Sequence, residues 1–334
     1  MDSLRLQSGS AQRVLIQAPA KVNLTLEILA RLADGFHELE TFMLAVSVCD
    51  TLVFEATSSP ELNIHCEWAI GLLAQRASAR RSHAAEVWQP LPPTTDNLVW
   101  KALDRLRREA RVTTGARVEL TKRIPAQAGL GGASADAAAV LLAANVAWQL
   151  YWPIARLAEL AAQLGSDVPF FLNGGAAICR GRGEQIEVVR PPRCSLVIVR
   201  PPVGLSTSAV YKSCRPAATR QAAIRLQREL ARGDLAAAAR ALHNGLQPPA
   251  EAISPWIGKL KQVFASTGCI AHQMSGSGSS YFGLCWHAGE ARRIARWLRG
   301  MNLGAVMTAE THLRNSQRPA NEFAIPARNG HDLP

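Results

Sequence analysis

Three features at separate places in the chain have residue types that could act in catalysis. Lys21, one of only 6 lysines beside 31 arginines, follows Ala-Pro-Ala, and Asp167 follows Gly-Ser. A carboxylate can accept the proton of a substrate hydroxyl, and an ammonium can screen charge that develops on a transferred phosphoryl group. Each residue also has a commoner explanation, since a strand lysine is usually solvated and an aspartate beside Gly and Ser usually forms a turn.

The third feature is a glycine-rich segment, the first glycine loop. It consists of Pro125, Ala126, Gln127, Ala128, Gly129, Leu130, Gly131, Gly132, Ala133, Ser134 and Ala135. Small residues between a strand and a helix let backbone N–H groups approach an anion, which predicts phosphate binding. Ser134 is placed either as the helix N-cap or as a phosphate or metal contact. No Gly-Lys-Ser/Thr follows, and Ser134 replaces the third glycine of G-x-G-x-x-G, so neither standard nucleotide motif applies. A tight turn that serves packing alone is the alternative.

Two further segments have weaker signals. Phe36 and His37 follow an Asp-Gly turn, and an aromatic ring beside an imidazole could stack on and hydrogen-bond a planar base. The alternative is a core phenylalanine and a rim histidine at the end of a hairpin. Gly276, Ser277 and Gly278 lie in the second glycine loop, residues 274–280, which is either a second anion site or a flexible turn.

The elements that must position these residues can be predicted from periodicity. Residues 22–28 alternate apolar and polar, which predicts a half-buried strand with Lys21, Asn23, Thr25 and Glu27 on its polar face. A hairpin turn follows. Thr95 or Asp96 is expected to cap a helix that runs to about residue 111. A strand at residues 117–121 leads into the first glycine loop, and helices are expected at 135–150 and 154–164. The mixed order predicts an α+β fold.

Composition limits the possible classes of protein. The 334 residues are 48% apolar and carry a net charge of +11, which excludes a disordered chain and favours an acidic partner. Nucleic acid is disfavoured because the arginines are dispersed and no RNA-binding motif is present. The seven cysteines contain no C-x-x-C pair, and no run of about 18 apolar residues could span a membrane. We expect a cytoplasmic protein that binds neither nucleic acid nor membrane.

Four segments, taken in order, resemble the GHMP small-molecule kinases. They are Ala-Pro-Ala-Lys-Val-Asn-Leu at 18–24, the glycine-rich segment at 125–136, Gly-Ser-Asp-Val-Pro-Phe at 165–170 and Gly-Ser-Gly-Ser at 276–279. The resemblance implies two domains, the first similar to domain 2 of ribosomal protein S5 and the second ferredoxin-like. We place them at residues 1–178 and 179–314, with an insertion at about 67–93 and a flexible tail at 315–334. The resemblance also implies that the γ-phosphoryl group of ATP is transferred to an alcohol and that Mg²⁺ is required. Lys21 and Asp167 would be the catalytic pair, and residues 125–135 would surround the ATP phosphates.

Two more segments narrow the resemblance to one branch of that family. Asp-Gly-Phe-His-Glu-Leu at 34–39 and Asp-Asn-Leu-Val at 96–99 are similar to kinases that phosphorylate the 2-hydroxyl of a cytidine-diphosphate-linked methylerythritol on a route to isoprenoids. Phe36 and His37 would then hold the cytosine and Asn23 would face the erythritol or its phosphates. A GHMP kinase for mevalonate, homoserine or a sugar is the alternative, although it would have no need for the aromatic–histidine pair. A monomer and a homodimer are both compatible with the sequence.

The chain departs from the pattern of this branch at four positions. Gln127, Ala133 and Ala135 stand where Gly, Gly and Ser are usual, and Phe36 stands where Tyr is usual. Ala133 is compatible with the loop unless its backbone needs a positive φ. Ala135 removes a hydroxyl that could contact phosphate or metal, so no metal ligand is assigned.

Overall fold

The computed structural model describes residues 4–5, 13–69, 91, 96–216 and 221–312. In this part of the chain the strands are β1 (Leu4–Arg5), β2 (Arg13–Arg31), β3 (His37–Thr57), β4 (Leu62–Trp68), β5 (Gly115–Lys122), β6 (Ala176–Gly181), β7 (Gln185–Val189), β8 (Ser195–Arg200), β9 (His243–Asn244), β10 (Ala271–Met274), β11 (Tyr281–Cys285) and β12 (Ala305–Glu310). The helices are α1 (Leu98–Glu109), α2 (Gly132–Ala147), α3 (Ile154–Ala162), α4 (Val168–Asn173), α5 (Thr207–Lys212), α6 (Ala222–Ala231), α7 (Leu235–Arg240), α8 (Gln247–Ile253), α9 (Pro255–Ala265) and α10 (Ala288–Gly300).

The first sheet is centred on β2 and β3, long antiparallel strands joined by the predicted Asp34-Gly35 turn. Its order is β1-β2-β3-β5-β4, with β6 and β7 added along β3 and β9 parallel to β2. The predicted strand at residues 22–28 therefore exists, but it is not half-buried. Lys21, Asn23 and Thr25 are all buried, because loops and side chains of other elements cover the polar positions as well as the apolar ones.

The second sheet has the antiparallel order β10-β11-β8-β12. Its central strand β8 reads Ser-Leu-Val-Ile-Val-Arg, a continuous apolar run typical of a strand that is buried on both faces. The boundary that we predicted between residues 178 and 179 falls inside β6, which pairs with β3 and β7 in the first sheet. The chain changes sheets after β7, because β6 and β7 both pair in the first sheet and β8 begins the second.

The chain later returns to the first sheet. Residues 25–26 of β2 pair with β9, and α6 packs on β2. Apolar residues of both sheets share one buried cluster that includes Leu24, Phe42, Leu196 and Phe282. The two sheets are therefore joined by a common core, and the loops at its edge come from both.

Two helix starts differ from the predictions. Helix α1 is capped by Asn97, whose side-chain oxygen accepts the N–H of Val99 at 3.0 Å, and not by Asp96. Helix α2 begins at Gly132 after a left-handed Gly131, so Ser134 lies in its first turn and is not the N-cap. At α1 the cap shifts by one residue because the extended Asn97 is as good a capping residue as Asp96. At α2 the left-handed Gly131, which makes no side-chain cap, sets the start of the helix.

Three predictions fall wholly or partly on residues that are not described. Of the expected insertion at 67–93, Trp68 belongs to β4 and residues 70–90 and 92–93 lie outside the described residues. The predicted tail at 315–334 and Thr95, one of the two expected caps, lie outside them as well. None of the helices described is both long and apolar enough to cross a membrane.

Candidate active site

The lysine and the aspartate that the sequence places 146 residues apart meet in one cavity. Lys21 Nζ lies 3.3 Å from Asp167 Oδ2, and the two side chains are 5% and 31% exposed. Asp167 precedes α4, yet its side chain makes no capping hydrogen bond to that helix. Asp167 therefore lies in a turn, as its alternative explanation predicts, but its side chain is not used by that turn, and its carboxylate is directed to the ammonium and to the cavity.

A chain of hydrogen bonds orients the Lys21 ammonium. Lys21 Nζ donates to Asn23 Oδ1 at 2.7 Å, Asn23 Nδ2 donates to Thr41 Oγ1 at 2.8 Å, and Thr41 Oγ1 donates to the carbonyl of Thr25 at 2.6 Å. Both side-chain groups of Asn23 thus have partners within the protein. Asn23 lines the cavity, but its direct contacts assign it first to holding Lys21, and contact with substrate stays a prediction.

The first glycine loop lies directly beside this pair. The N–H of Lys21 donates to the carbonyl of Leu130 at 2.9 Å. Gly129 and Gly131 have φ of 71° and 72°, and a Cβ on Gly129 would lie 2.1 Å from the carbonyl oxygen of Ser275. Only glycine fits these positions. The loop therefore presents its backbone, at the start of α2, to the same cavity as Lys21.

The substituted loop positions behave differently from one another. Gln127 has φ of 50°, so it adopts the left-handed conformation that glycine adopts without strain. Ala133 lies in the first turn of α2 and has no positive φ, so alanine costs no backbone strain there. The Gln127 side chain lines the cavity. Replacement of glycine thus strains the loop at residue 127 but not at residue 133.

A buried charge cluster of Asp50, Lys122 and Asp136 fixes both ends of this loop. Lys122, on β5 just before the loop, pairs with Asp50 and with Asp136, which follows the loop in α2. Asp50 Oδ1 accepts the N–H of Arg123 and, at 2.8 Å, that of Ile124. Burial lowers the pKa of Lys122, but the two carboxylates outweigh it and raise the pKa above its ordinary value. Burial raises the pKa of the Asp136 carboxyl.

This cluster was not predicted from the sequence. The position of Lys122, one of few lysines, on the strand before the loop could have pointed to it. Asp50 lies 72 residues earlier, and nothing in the sequence connects it with Lys122.

The second glycine loop covers the pair from the other sheet. Ser275 Oγ donates to the carbonyl of Gly129 at 3.0 Å, and the N–H of Ser280 donates to the carbonyl of Ala128 at 3.0 Å. Gly276 approaches so closely that a Cβ on it would lie 3.3 Å from Lys21 Nζ. Ser277 and Gly278 line the same cavity. Lys21 is thus enclosed between loops that come from the two sheets.

The whole cavity has a volume of about 920 Å³. The end opposite the Lys21–Asp167 pair is lined by aromatic and basic side chains. The His37 and Tyr211 rings lie 5.3 Å apart. Phe36 is 53% exposed, and the Arg182 guanidinium lies 4.5 Å from the centre of its ring and pairs with Asp34. Burial, and then the charge of Arg31, lowers the pKa of His37, which favours the neutral imidazole. Tyr211 was missed because nothing in a short helix after a strand distinguishes it.

Metal ligands are sparse in the described residues. No group of three or more His, Cys, Asp or Glu side chains there could hold a metal ion. The cavity lining nevertheless includes the hydroxyl of Ser134, within the first glycine loop, and the carboxylate of Asp167.

Comparison with known proteins decides the family. The chain matches the GHMP kinases N terminal domain over residues 97–175 and the GHMP kinases C terminal domain over residues 226–301. It is 39% identical over 281 residues to a 4-diphosphocytidyl-2-C-methyl-D-erythritol kinase of Pelotomaculum thermopropionicum, covering 83% of this chain and 91% of that protein. The chain belongs to the 4-diphosphocytidyl-2-C-methyl-D-erythritol kinases.

Further relatives of this GHMP kinase agree. A 4-diphosphocytidyl-2-C-methyl-D-erythritol kinase of Bacillus cytotoxicus is 33% identical, with 86% of this chain and 93% of that protein covered. A crystal structure of 4-(cytidine 5'-diphospho)-2C-methyl-D-erythritol kinase is 33% identical with a TM-score of 0.72, covering 89% of this chain and 98% of that one. A homoserine kinase of Cytophaga hutchinsonii, 20% identical with a TM-score of 0.67 over 92% and 97% of the chains, shares the fold.

These comparisons confirm the main expectations from the sequence. The protein is a small-molecule kinase with the two-domain α+β GHMP fold, and its family uses ATP. The roles of individual residues in this kinase remain predictions, now supported by their positions in one cavity.

Proposed function

We propose that this kinase transfers the γ-phosphoryl group of ATP to the 2-hydroxyl of 4-diphosphocytidyl-2-C-methyl-D-erythritol at the Lys21–Asp167 pair. The observation that carries the proposal is the 3.3 Å contact of these side chains beside the first glycine loop. The relatives named above support the choice of acceptor. This reaction belongs to the methylerythritol phosphate route to isoprenoids.

Asp167 is suited to act as the general base. Its carboxylate is partly exposed to the cavity and has no cap to form, so it can accept the proton of an acceptor hydroxyl. The hydroxyl oxygen then forms a bond to the γ-phosphorus while the bond to the ADP oxygen breaks, and ADP leaves with that electron pair. No cysteine of the described residues lines the cavity, and the one histidine that does, His37, lies at the opposite end from Lys21 and Asp167, which supports direct transfer without a phosphorylated enzyme.

Lys21 provides the positive charge for this step. Its ammonium is held by Asn23 and Asp167, so it is already oriented before a phosphoryl group arrives. We infer that it positions the acceptor hydroxyl and screens the charge that builds on the transferred group. Because the side chain is only 5% exposed, water weakens that interaction little.

The first glycine loop is proposed to bind the ATP phosphates through its backbone N–H groups at the start of α2. Mg²⁺ fits this environment, because it prefers oxygen ligands and is usually held by one or two protein oxygens together with substrate phosphates and water. Ser134 is the hydroxyl that would hold it, and Asp167 is the one carboxylate among the described residues that line the cavity. When bound, the ion neutralises phosphate charge.

The opposite end of the cavity is proposed to bind the cytidine diphosphate part of the acceptor. Phe36, His37 and Tyr211 present aromatic faces for a planar base, and neutral His37 can accept a hydrogen bond from an amino group. Arg31 and Lys212 line the same end and can pair with a diphosphate. A cavity of about 920 Å³ can hold two substrates of this kind end to end.

An ATP-consumption assay against a small acceptor panel tests the proposal. The panel contains 4-diphosphocytidyl-2-C-methyl-D-erythritol, mevalonate and homoserine, and phosphorus NMR locates the new phosphomonoester. We expect turnover with the cytidine compound alone and phosphate on its 2-hydroxyl. Turnover with mevalonate or homoserine, and none with the cytidine compound, would reject the acceptor assignment. Detection of a covalent phosphoenzyme during turnover would reject direct transfer.

A further inference from the structure

Arg200, the last residue of β8, has no exposed surface yet carries a charge. Its side chain is 0% exposed, and Nε has no hydrogen-bond partner within the described residues. Burial lowers the pKa of the guanidinium to about 10, so it remains protonated at neutral pH. No carboxylate of the described residues forms an ion pair with it, unlike Arg180, which pairs with Glu40 and Glu187. A buried cation without a counter-charge is strongly unfavourable unless something else compensates it.

The guanidinium joins two walls of the active-site cavity. Nη2 donates to the carbonyl of Ala126, in the first glycine loop, at 3.2 Å. Nη1 donates to the carbonyl of Pro202 at 2.8 Å and to that of Pro201. The segment that begins with these prolines leads to Leu205 and α5, which line the cavity beside the second glycine loop. One side chain therefore connects the first glycine loop to the segment that carries α5, whose Tyr211 and Lys212 line the acceptor end.

The contact between these walls is tight. A Cβ on Gly204 would lie 2.8 Å from Gln127 Oε1 and 3.3 Å from Arg200 Nη2. Gln127 follows Ala126 and has the left-handed backbone of the loop. Any shift of the guanidinium would thus move Ala126 and Gln127 relative to the Pro201–Pro202 segment.

We propose that Arg200 is a positioning residue for the first glycine loop, and that its uncompensated positive charge favours the ATP polyphosphate. The inference rests on the proposed binding of ATP phosphates at that loop. It explains why a cation is buried where the protein itself supplies only carbonyl oxygens: the bound nucleotide provides the anion. The forked shape of arginine supplies the three carbonyl contacts, which lysine cannot reproduce.

The nucleotide affinities of R200K and R200Q distinguish the effect of the positive charge from that of the three carbonyl contacts. Isothermal titration of the full chain with ATP and with AMP, both with Mg²⁺, gives the two affinities. For R200Q we expect ATP affinity to fall about tenfold or more and AMP affinity to fall much less, because the charge acts on the added phosphates. For R200K, which keeps the charge, we expect about a threefold loss for ATP and a nearly unchanged ATP-to-AMP ratio.

Arg299→Met is the matched control. Arg299 also donates to a carbonyl, that of Val306, but it is exposed and far in the chain from the loop. We expect wild-type affinities for both nucleotides in this variant. Thermal unfolding of each ligand-free variant reports whether the fold is retained, and R200K carries the test if R200Q does not fold.

Three results would overturn the inference. They are wild-type ATP affinity in R200Q, equal losses for ATP and AMP in R200Q, and wild-type ATP affinity in R200K. Because nucleotide affinity is measured without the acceptor, these experiments still test the role of Arg200 if the acceptor panel shows a different substrate. ATP binding with no turnover of the cytidine compound would count against the proposed function and leave the role of Arg200 standing.

Discussion

The two ends of the active-site cavity are built in opposite ways. At the reaction end, Lys21 and Asn23 are buried, and hydrogen bonds from both sheets hold them. At the acceptor end, Phe36 is 53% exposed, and its ring is contacted by Arg182, an exposed side chain that also pairs with Asp34. A buried network fixes atoms for a chemical step, whereas an open aromatic surface binds a ligand. Changes at the reaction end should therefore affect kcat or folding, and changes at the acceptor end should affect KM.

The largest effect is expected for Asp167→Asn at the reaction end. Loss of the general base should lower kcat by about 10²-fold or more, while ATP still binds. Steady-state kinetics and ATP titration measure the two quantities. Glu159→Gln, which removes an exposed carboxylate of α3, is the control and should leave both unchanged. Near-normal turnover by Asp167→Asn would remove this residue from the role.

Asp50→Ala tests the support beneath the reaction end. It removes a buried partner of Lys122 and two acceptor bonds for the start of the loop. We expect the free energy of unfolding to fall by about 3 kcal/mol, the usual cost of breaking a buried ion pair. Urea unfolding at neutral pH gives the value. Asp50→Asn, which keeps an oxygen acceptor, should lose less, and equal stability of Asp50→Ala and wild type would contradict the interpretation.

Phe36→Ala tests the acceptor end. Loss of an aromatic face beneath the base should raise KM for the cytidine substrate about tenfold, with KM for ATP little changed. Phe36→Tyr keeps the ring and serves as the control, with KM expected near that of wild type. If both substrates weakened equally in Phe36→Ala, the division of the cavity into two ends would be wrong.

The smallest effect concerns pH. His37 has a pKa below 6.5, so the neutral imidazole predominates at neutral pH and is lost only as pH falls below that value. We expect KM for the acceptor to be constant above pH 6.5 and to rise a few-fold at lower pH, because a protonated ring beside Arg31 cannot accept a hydrogen bond. His37→Gln should show a flat profile. A wild-type KM that stays constant over the pH range in which NMR shows the His37 ring becoming protonated would exclude this role.

The sequence predicted the meeting of Lys21 and Asp167 because ordered motifs carry spatial information through a shared fold. It did not predict that both faces of β2 are buried, since alternation tells which residues share a face and not what covers them. Tyr211 and Asp50 were also missed, because their partners His37 and Lys122 are distant in the chain. Arg200 was missed because an arginine at the end of an apolar strand is usually exposed, and nothing in the sequence shows that it is buried. The start of α2 was misplaced because a left-handed glycine and a serine three residues later are both plausible helix boundaries.

The return of the chain to β2 has a consequence for synthesis of the protein. The buried Glu27 carboxylate accepts the N–H groups of Gln221 and Ala222 at 3.1 and 3.0 Å, and β9 then pairs with residues 25–26. While the ribosome has made only the first 190 residues, this edge has no partner. During synthesis, therefore, the first sheet cannot be completed until a segment 195 residues downstream of Glu27 has been made.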